Sequence, residues 1–145
     1  MIKAIFFDFY GVINLAGELN SEVSDFVKAN HQQYKFAVLS AADTDLHDWL
    51  DAKGIGQFFD IIQTTAEIGI SKTAPEFFTI PLKKMNLEAD EVLFVDDIET
   101  YILVADKLGF KVALYDYNAN LIDQIKAKLW NPEQRPQFWQ PPLLQ

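Results

Sequence analysis

The chain has 145 residues, half of them hydrophobic and 23% charged, and no cysteine. That is the size of one ordinary domain with enough apolar residues for its own core, and it excludes disulfides, thiolate metal sites and a cysteine nucleophile. Twelve basic against 21 acidic residues give a net charge of −9, which speaks against nucleic acid and anionic membrane, since both bind basic faces. No apolar run approaches the roughly 18 residues of a membrane span. Ile5-Phe6-Phe7 is cut off by Asp8, too soon for a signal-peptide core. A soluble, cytoplasmic protein is expected.

Short apolar bursts, β-branched or aromatic, alternate with longer amphipathic stretches. The first burst covers residues 2–7, and a helix follows over 20–30 with Val23, Phe26 and Val27 on one face. The second burst, 36–39, leads to a helix over 44–53, with Thr44 as N-cap and Gly54 as its stop. The third, 59–62, precedes a helix over 75–85 that Pro81 should kink or divide. The fourth, 92–95, is followed by a helix over 98–108 closing on Gly109; the fifth, 111–114, by a helix over 121–130. Continuous rather than alternating apolar runs mark strands buried on both faces of a parallel sheet. The repeated strand–helix order predicts an α/β fold, a three-layer doubly wound five-stranded parallel sheet with helices on both faces. Residues 1–130 form this core domain. Residues 131–145 hold four of the six prolines together with Phe138 and Trp139, and are expected to form an irregular strap packing its aromatics on the domain.

Ligands of open α/β sheets bind beyond the carboxyl ends of the strands, so the polar residues that end the bursts are the candidates. These are Asp8, Ser40 and the pair Asp96-Asp97, with Lys72 a short loop after the third burst. Each alone has an ordinary explanation: an Asp or Ser at a strand end caps the next helix, as Asp97 could cap 98–108, and a loop lysine is usually solvated. Four polar strand ends on one edge are harder to credit to coincidence. They suit phosphoryl transfer through an aspartate, in which a carboxylate attacks phosphorus while Mg²⁺, held by a few oxygens, neutralises charge. Asp8 and Asp96 would supply oxygens to the ion, with a backbone carbonyl near Tyr10 as a third. Lys72 would position Asp8, and Ser40 would donate to a phosphoryl oxygen.

In sequence order these residues resemble the haloacid dehalogenase (HAD) superfamily. Ile5-Phe6-Phe7-Asp8-Phe9-Tyr10-Gly11-Val12 resembles its first motif, Val38-Leu39-Ser40 the second, Lys72 with Pro75 and Phe77-Phe78 the third, and Phe94-Val95-Asp96-Asp97 followed by Leu108-Gly109-Phe110 the fourth. The resemblance covers residues 1 to about 128. It implies strand order 5-4-1-2-3 and a short flap over residues 12–18 with Gly17 at its turn. Asp8 would be the nucleophile, Asp96 a metal ligand, and Asp97 a water-mediated ligand that orients Lys72.

Two features depart from the family's phosphatases. Where they carry a second Asp as general acid and base, this chain has Tyr10, and a phenol of pKa about 10 protonates a leaving group poorly at neutral pH. A lost general acid typically costs about 10² to 10⁴ in rate. The intervals from Asp8 to Ser40 and from Lys72 to Asp96 are each used up by one helix and its loops, which leaves no cap domain. The site would be open, as in the capless branch, whose substrates include phosphorylated macromolecules and whose lids can come from a partner subunit; an oligomer is compatible with this.

The leading expectation is a Mg²⁺-dependent HAD-like phosphohydrolase of weak or specialised activity, favouring leaving groups that need little protonation. The alternative is a non-catalytic HAD-fold binding or interaction protein. A dehalogenase ranks third: Tyr10 matches its motif, but an uncapped site is not dry, the one arginine is Arg135 in the tail, and that reaction needs no metal for Asp96-Asp97 to hold. A receiver domain is rejected because its acidic pair comes first and its lysine last. His31 and His47 are expected to be solvated without partners at metal-ligand spacing, and the glycines lack a dinucleotide or P-loop pattern.

Overall fold

The computed structural model describes residues 1–130; the expected strap over 131–145, with Arg135, lies outside the described residues. In chain order come β1 (Ala4–Phe7), a hairpin of β2 (Asn14–Leu15) and β3 (Glu18–Leu19), α1 (Ser21–Asn30), β4 (Lys35–Ser40) and α2 (His47–Ala52). Then follow β5 (Ile61–Thr64), α3 (Thr65–Ile68), α4 (Pro75–Met85), β6 (Val92–Asp96), α5 (Glu99–Lys107), β7 (Lys111–Leu114) and α6 (Leu121–Leu129). All pairings in the main sheet are parallel, and its order is β5-β4-β1-β6-β7. Counting the sheet strands alone, this is the expected 5-4-1-2-3; the small hairpin, which forms the flap, takes the two intervening numbers. Ala16 and Gly17 both sit at positive φ in the hairpin turn, the geometry that favours glycine there.

Alternate residues of the buried strands feed two cores. Ile5, Phe7, Val38 and Val95 pack with Val23, Val27, Leu50 and Ile125 on one face. Phe6, Leu39 and Phe94 pack with Phe77, Phe78, Leu82 and Ile102 on the other. Each such side chain, fully buried, contributes about 1.5–3 kcal/mol. With both faces covered, polar groups are left to the strand ends. Phe7 stands beside Val38 on one side and Val95 on the other, which brings Asp8 level with Leu39 and Asp96.

Three elements differ from their sequence expectation. The helix expected from Thr44 begins at His47, because Asp45 Oδ1, not Thr44, accepts the His47 N–H at 2.8 Å, while Leu46 is drawn into the core. The third strand is shifted to Ile61–Thr64, since a 3₁₀ turn over Gly56–Phe58 precedes it, and Thr64 then caps α3 by accepting from Glu67 N. Pro81 lies inside an unbroken α4. Proline leaves the carbonyl four residues earlier without its helical donor; here Gln63 Nε2 donates to Phe77 O at 2.8 Å instead.

Candidate active site

The C-terminal edge of the sheet gathers Asp8, Ser40, Lys72, Asp96 and Asp97. Lys72 arrives after α3 and is 1% exposed. Its ammonium donates to Asp8 Oδ1 at 2.7 Å and to Leu39 O at 3.0 Å, and lies 2.9 Å from Asp96 Oδ2 as an ion pair. The Tyr101 ring covers it at 4.7 Å from the centroid. The ammonium thus has two hydrogen bonds and a second carboxylate in ion-pair contact, a setting in which a buried charge is tolerated.

Burial raises the Asp8 carboxyl to about 8, with Lys72 pulling down and Asp96 pushing up. Burial likewise raises Asp96, against the lowering effect of Lys72 and of the Ile98 N–H. Asp96 Oδ1, rather than Asp97, accepts the Ile98 N–H at 3.0 Å, so the expected Asp97 cap is replaced by its neighbour. The direct partners of Lys72 are Asp8, Leu39 and Asp96 rather than Asp97. Successive residues point to opposite sides of the chain, and Asp97 turns toward the loop after β7, where Tyr117 Oη donates to its Oδ2 at 2.9 Å and to Gly11 O at 2.6 Å. One proton is shared between two acceptors. Gly11 sits at φ 89°, and a Cβ there would overlap the Asp97 carboxylate. The flap, the β6–α5 loop and the β7–α6 loop are therefore locked together beside the acids.

Asp8, Ser40, Asp97 and the exposed Tyr10 line one open cleft of about 360 Å³ with Gly11, Ile98 and Tyr101. Ser40 Oγ and Asp97 Oδ1 are buried and make no hydrogen bond. Carboxylate oxygens of Asp8, Asp96 and Asp97 all lie within 4.8 Å of one another. Three acids against one ammonium, with an orphaned oxygen on Asp97, make a set of hard donors that fits a divalent cation such as Mg²⁺. Sequence reasoning missed Tyr117, Ile98, Tyr101 and Gln63. It also placed His47 without partners, whereas the fold brings Asp45 and Glu67 to it at 2.6 and 4.0 Å on the exposed surface.

Residues 2–109 match the family model of haloacid dehalogenase-like hydrolases. The chain belongs to that family. Among curated proteins it is 34% identical over 68 residues to ribulose-1,5-bisphosphate 5-phosphatase of Halopiger xanaduensis, covering 46% of this chain and 28% of that one. It is 42% identical over 57 residues to glyceraldehyde 3-phosphate phosphatase of Methanocaldococcus jannaschii, covering 39% and 25%. The chain thus spans about a quarter of the length of these two relatives. Among solved structures, a predicted HAD-like family hydrolase from Porphyromonas gingivalis superposes with a TM-score of 0.77 at 18% identity, covering 90% of this chain and 99% of that one. A HAD family enzyme from Bacteroides thetaiotaomicron, in complex with magnesium and inorganic phosphate, gives 0.71 at 15%, covering 83% and 98%. Among the described residues no helix is long and apolar enough to cross a membrane.

Proposed function

We propose that this HAD-like protein is a cytoplasmic, capless, Mg²⁺-dependent phosphohydrolase that acts on small phosphorylated molecules through Asp8. The observation that carries the reading is the buried Lys72 bridging Asp8 and Asp96 beside two unpartnered polar atoms, Ser40 Oγ and Asp97 Oδ1. An unpartnered buried hydroxyl and carboxylate oxygen are costly, and both line the cleft that contains Asp8. The phosphatase names of the two curated relatives support the same class.

In this mechanism an ionised Asp8 oxygen attacks phosphorus. The bond from phosphorus to the leaving oxygen breaks, and the leaving group departs with the electron pair. Water then attacks the phosphorus of the aspartyl-phosphate, releasing phosphate and restoring Asp8. Lys72 favours the ionised form of Asp8 and fixes its position, and the Ser40 hydroxyl donates to a phosphoryl oxygen. Mg²⁺ held by Asp8, Asp96 and the Tyr10 carbonyl, with Asp97 reached through water, would neutralise phosphoryl charge. With Tyr10 in place of an acid, esters or acyl phosphates whose leaving groups need little protonation are favoured.

The test is hydrolysis of acetyl phosphate and p-nitrophenyl phosphate with Mg²⁺, comparing the protein with Asp8→Asn. The variant should lose turnover by at least about 10³-fold. Equal rates would remove the enzymatic reading and leave a phosphate-binding or interaction module. Tyr10→Asp should raise turnover of alkyl phosphates by about 10- to 100-fold.

A further inference from the structure

We infer that the leaving-group side of the cleft takes an uncharged aromatic group, so that the preferred substrates are phosphomonoesters of aromatic alcohols rather than sugar bisphosphates; this rests on the phosphohydrolase reading above. The floor of the cleft is polar, formed by Asp8, Ser40 and Asp97, and its rim is apolar, formed by Tyr10, Ile98 and Tyr101. Tyr10 is 51% exposed and Ile98 45%. Large side chains held half in water around one mouth mark a binding surface better than a scatter of single exposures does.

The Tyr10 ring is also held. It meets Phe9 at 4.8 Å between centroids, and Phe9 in turn meets Trp49 at 4.9 Å, both near-perpendicular. A half-exposed ring supported in this way loses little side-chain freedom when a ligand packs on it.

The charges around the cleft exclude the alternative. Among the described residues no lysine, arginine or histidine lines it, and the Lys72 ammonium beneath is engaged by Asp8, Leu39 and Asp96. A second phosphate or carboxylate on the substrate would meet the two lining aspartates, Asp8 and Asp97, and no free side-chain cation, a repulsive arrangement that discriminates against it. The chemistry points the same way. Where residue 10 is no carboxylic acid, a leaving group close to a phenol, with pKa about 10, departs more readily than an alkyl alkoxide.

Leaving-group chemistry is separated from rim recognition by unhydrolysable probes. Benzylphosphonate and ethylphosphonate are titrated into the full chain with Mg²⁺ by calorimetry, with inorganic phosphate as reference. The benzyl compound should bind about tenfold more tightly, the size of an aromatic contact plus its burial. Ile98→Asn and Tyr10→Ser should each reduce that preference toward unity. Equal affinities for the two phosphonates, or tighter binding of phosphonoacetate than of either, would overturn the inference while phosphate binding still supported the underlying reading. Failure of phosphate itself to bind would remove both.

Discussion

Replacing Lys72 by methionine keeps most of its stem volume and removes the one cation between two buried acids. In the parent, Lys72 touches Asp8 at 2.7 Å and Asp96 at 2.9 Å, with less than a tenth of either side chain in water. Removing one partner of a buried ion cluster leaves charge uncompensated and costs about 3–5 kcal/mol at pH 8. The penalty has a direction in pH. Both acids have folded-state values above their unfolded value of 3.8 even with the lysine present, Asp8 at about 8. For such an acid the contribution to stability is most favourable below the unfolded value and is lost as pH rises toward the folded one. Without the lysine both values climb further, so the difference between variant and parent should widen from pH 5.5 to pH 8, at about 1.4 kcal/mol per pH unit for each extra proton retained. Urea unfolding in chelator at the two pH values measures this. Adding Asp8→Asn should recover part of the loss, because the neutral amide no longer needs the cation. A penalty under about 1 kcal/mol, or one that shrinks as pH rises, would refute the ion-cluster account.

Three further outcomes are expected. Gly11→Ala combines a backbone at φ 89° with overlap of the Asp97 carboxylate, and should destabilise by about 2 kcal/mol or more while reducing turnover, checked by thermal unfolding and the acetyl phosphate assay. Tyr117→Phe removes the hydroxyl shared by Gly11 O and Asp97 Oδ2. It should cost about 1 kcal/mol in stability and weaken Mg²⁺ binding in calorimetry by freeing the Asp97 carboxylate; unchanged metal affinity would show that the tie is structural only. Gln63→Leu leaves Phe77 O without its donor and should cost about 1–3 kcal/mol in urea unfolding. Adding Pro81→Ala should restore part of it by returning a backbone N–H to that carbonyl.

The site's acids and hydroxyl were legible because of how a parallel sheet is built. With both faces buried, a strand such as Val92–Asp96 carries apolar residues until it leaves the core, and the first polar residue marks the ligand-binding edge. The same logic located Asp8 and Ser40. Lys72 was legible from its place just after the third burst, although the expected short loop contains α3, which intervenes between its strand and itself. Gln63 carried a signal that went unread: a proline at 81 announces an unfulfilled carbonyl at 77, and a polar residue inside an apolar strand is the natural donor. Tyr117 has no local signal, since its partner Gly11 is 106 residues away. It follows from register once the sheet is known: Leu114 pairs with Asp96 and Tyr115 N bonds Asp96 O, so the next turn of that loop passes Asp97.

The unpartnered atoms carry the strongest link between fold and chemistry. Among the described residues only four buried side-chain polar atoms lack a hydrogen bond, and three of them, on Ser40, Asp96 and Asp97, lie at one edge of one sheet. Random imperfection would scatter them through both cores. Asp96 Oδ2 is in any case paired with Lys72, so the atoms that want a partner outright are Ser40 Oγ and Asp97 Oδ1, one donor and one acceptor on the same cleft. A bound phosphoryl group would accept from the first and a cation would satisfy the second. A phosphate ester together with a metal would meet both needs at once. Ser40→Ala removes the orphaned hydroxyl. It should therefore stabilise the metal-free protein, or leave it unchanged within about 0.5 kcal/mol, while lowering phosphate affinity; a hydroxyl serving only the fold would give a loss in stability instead.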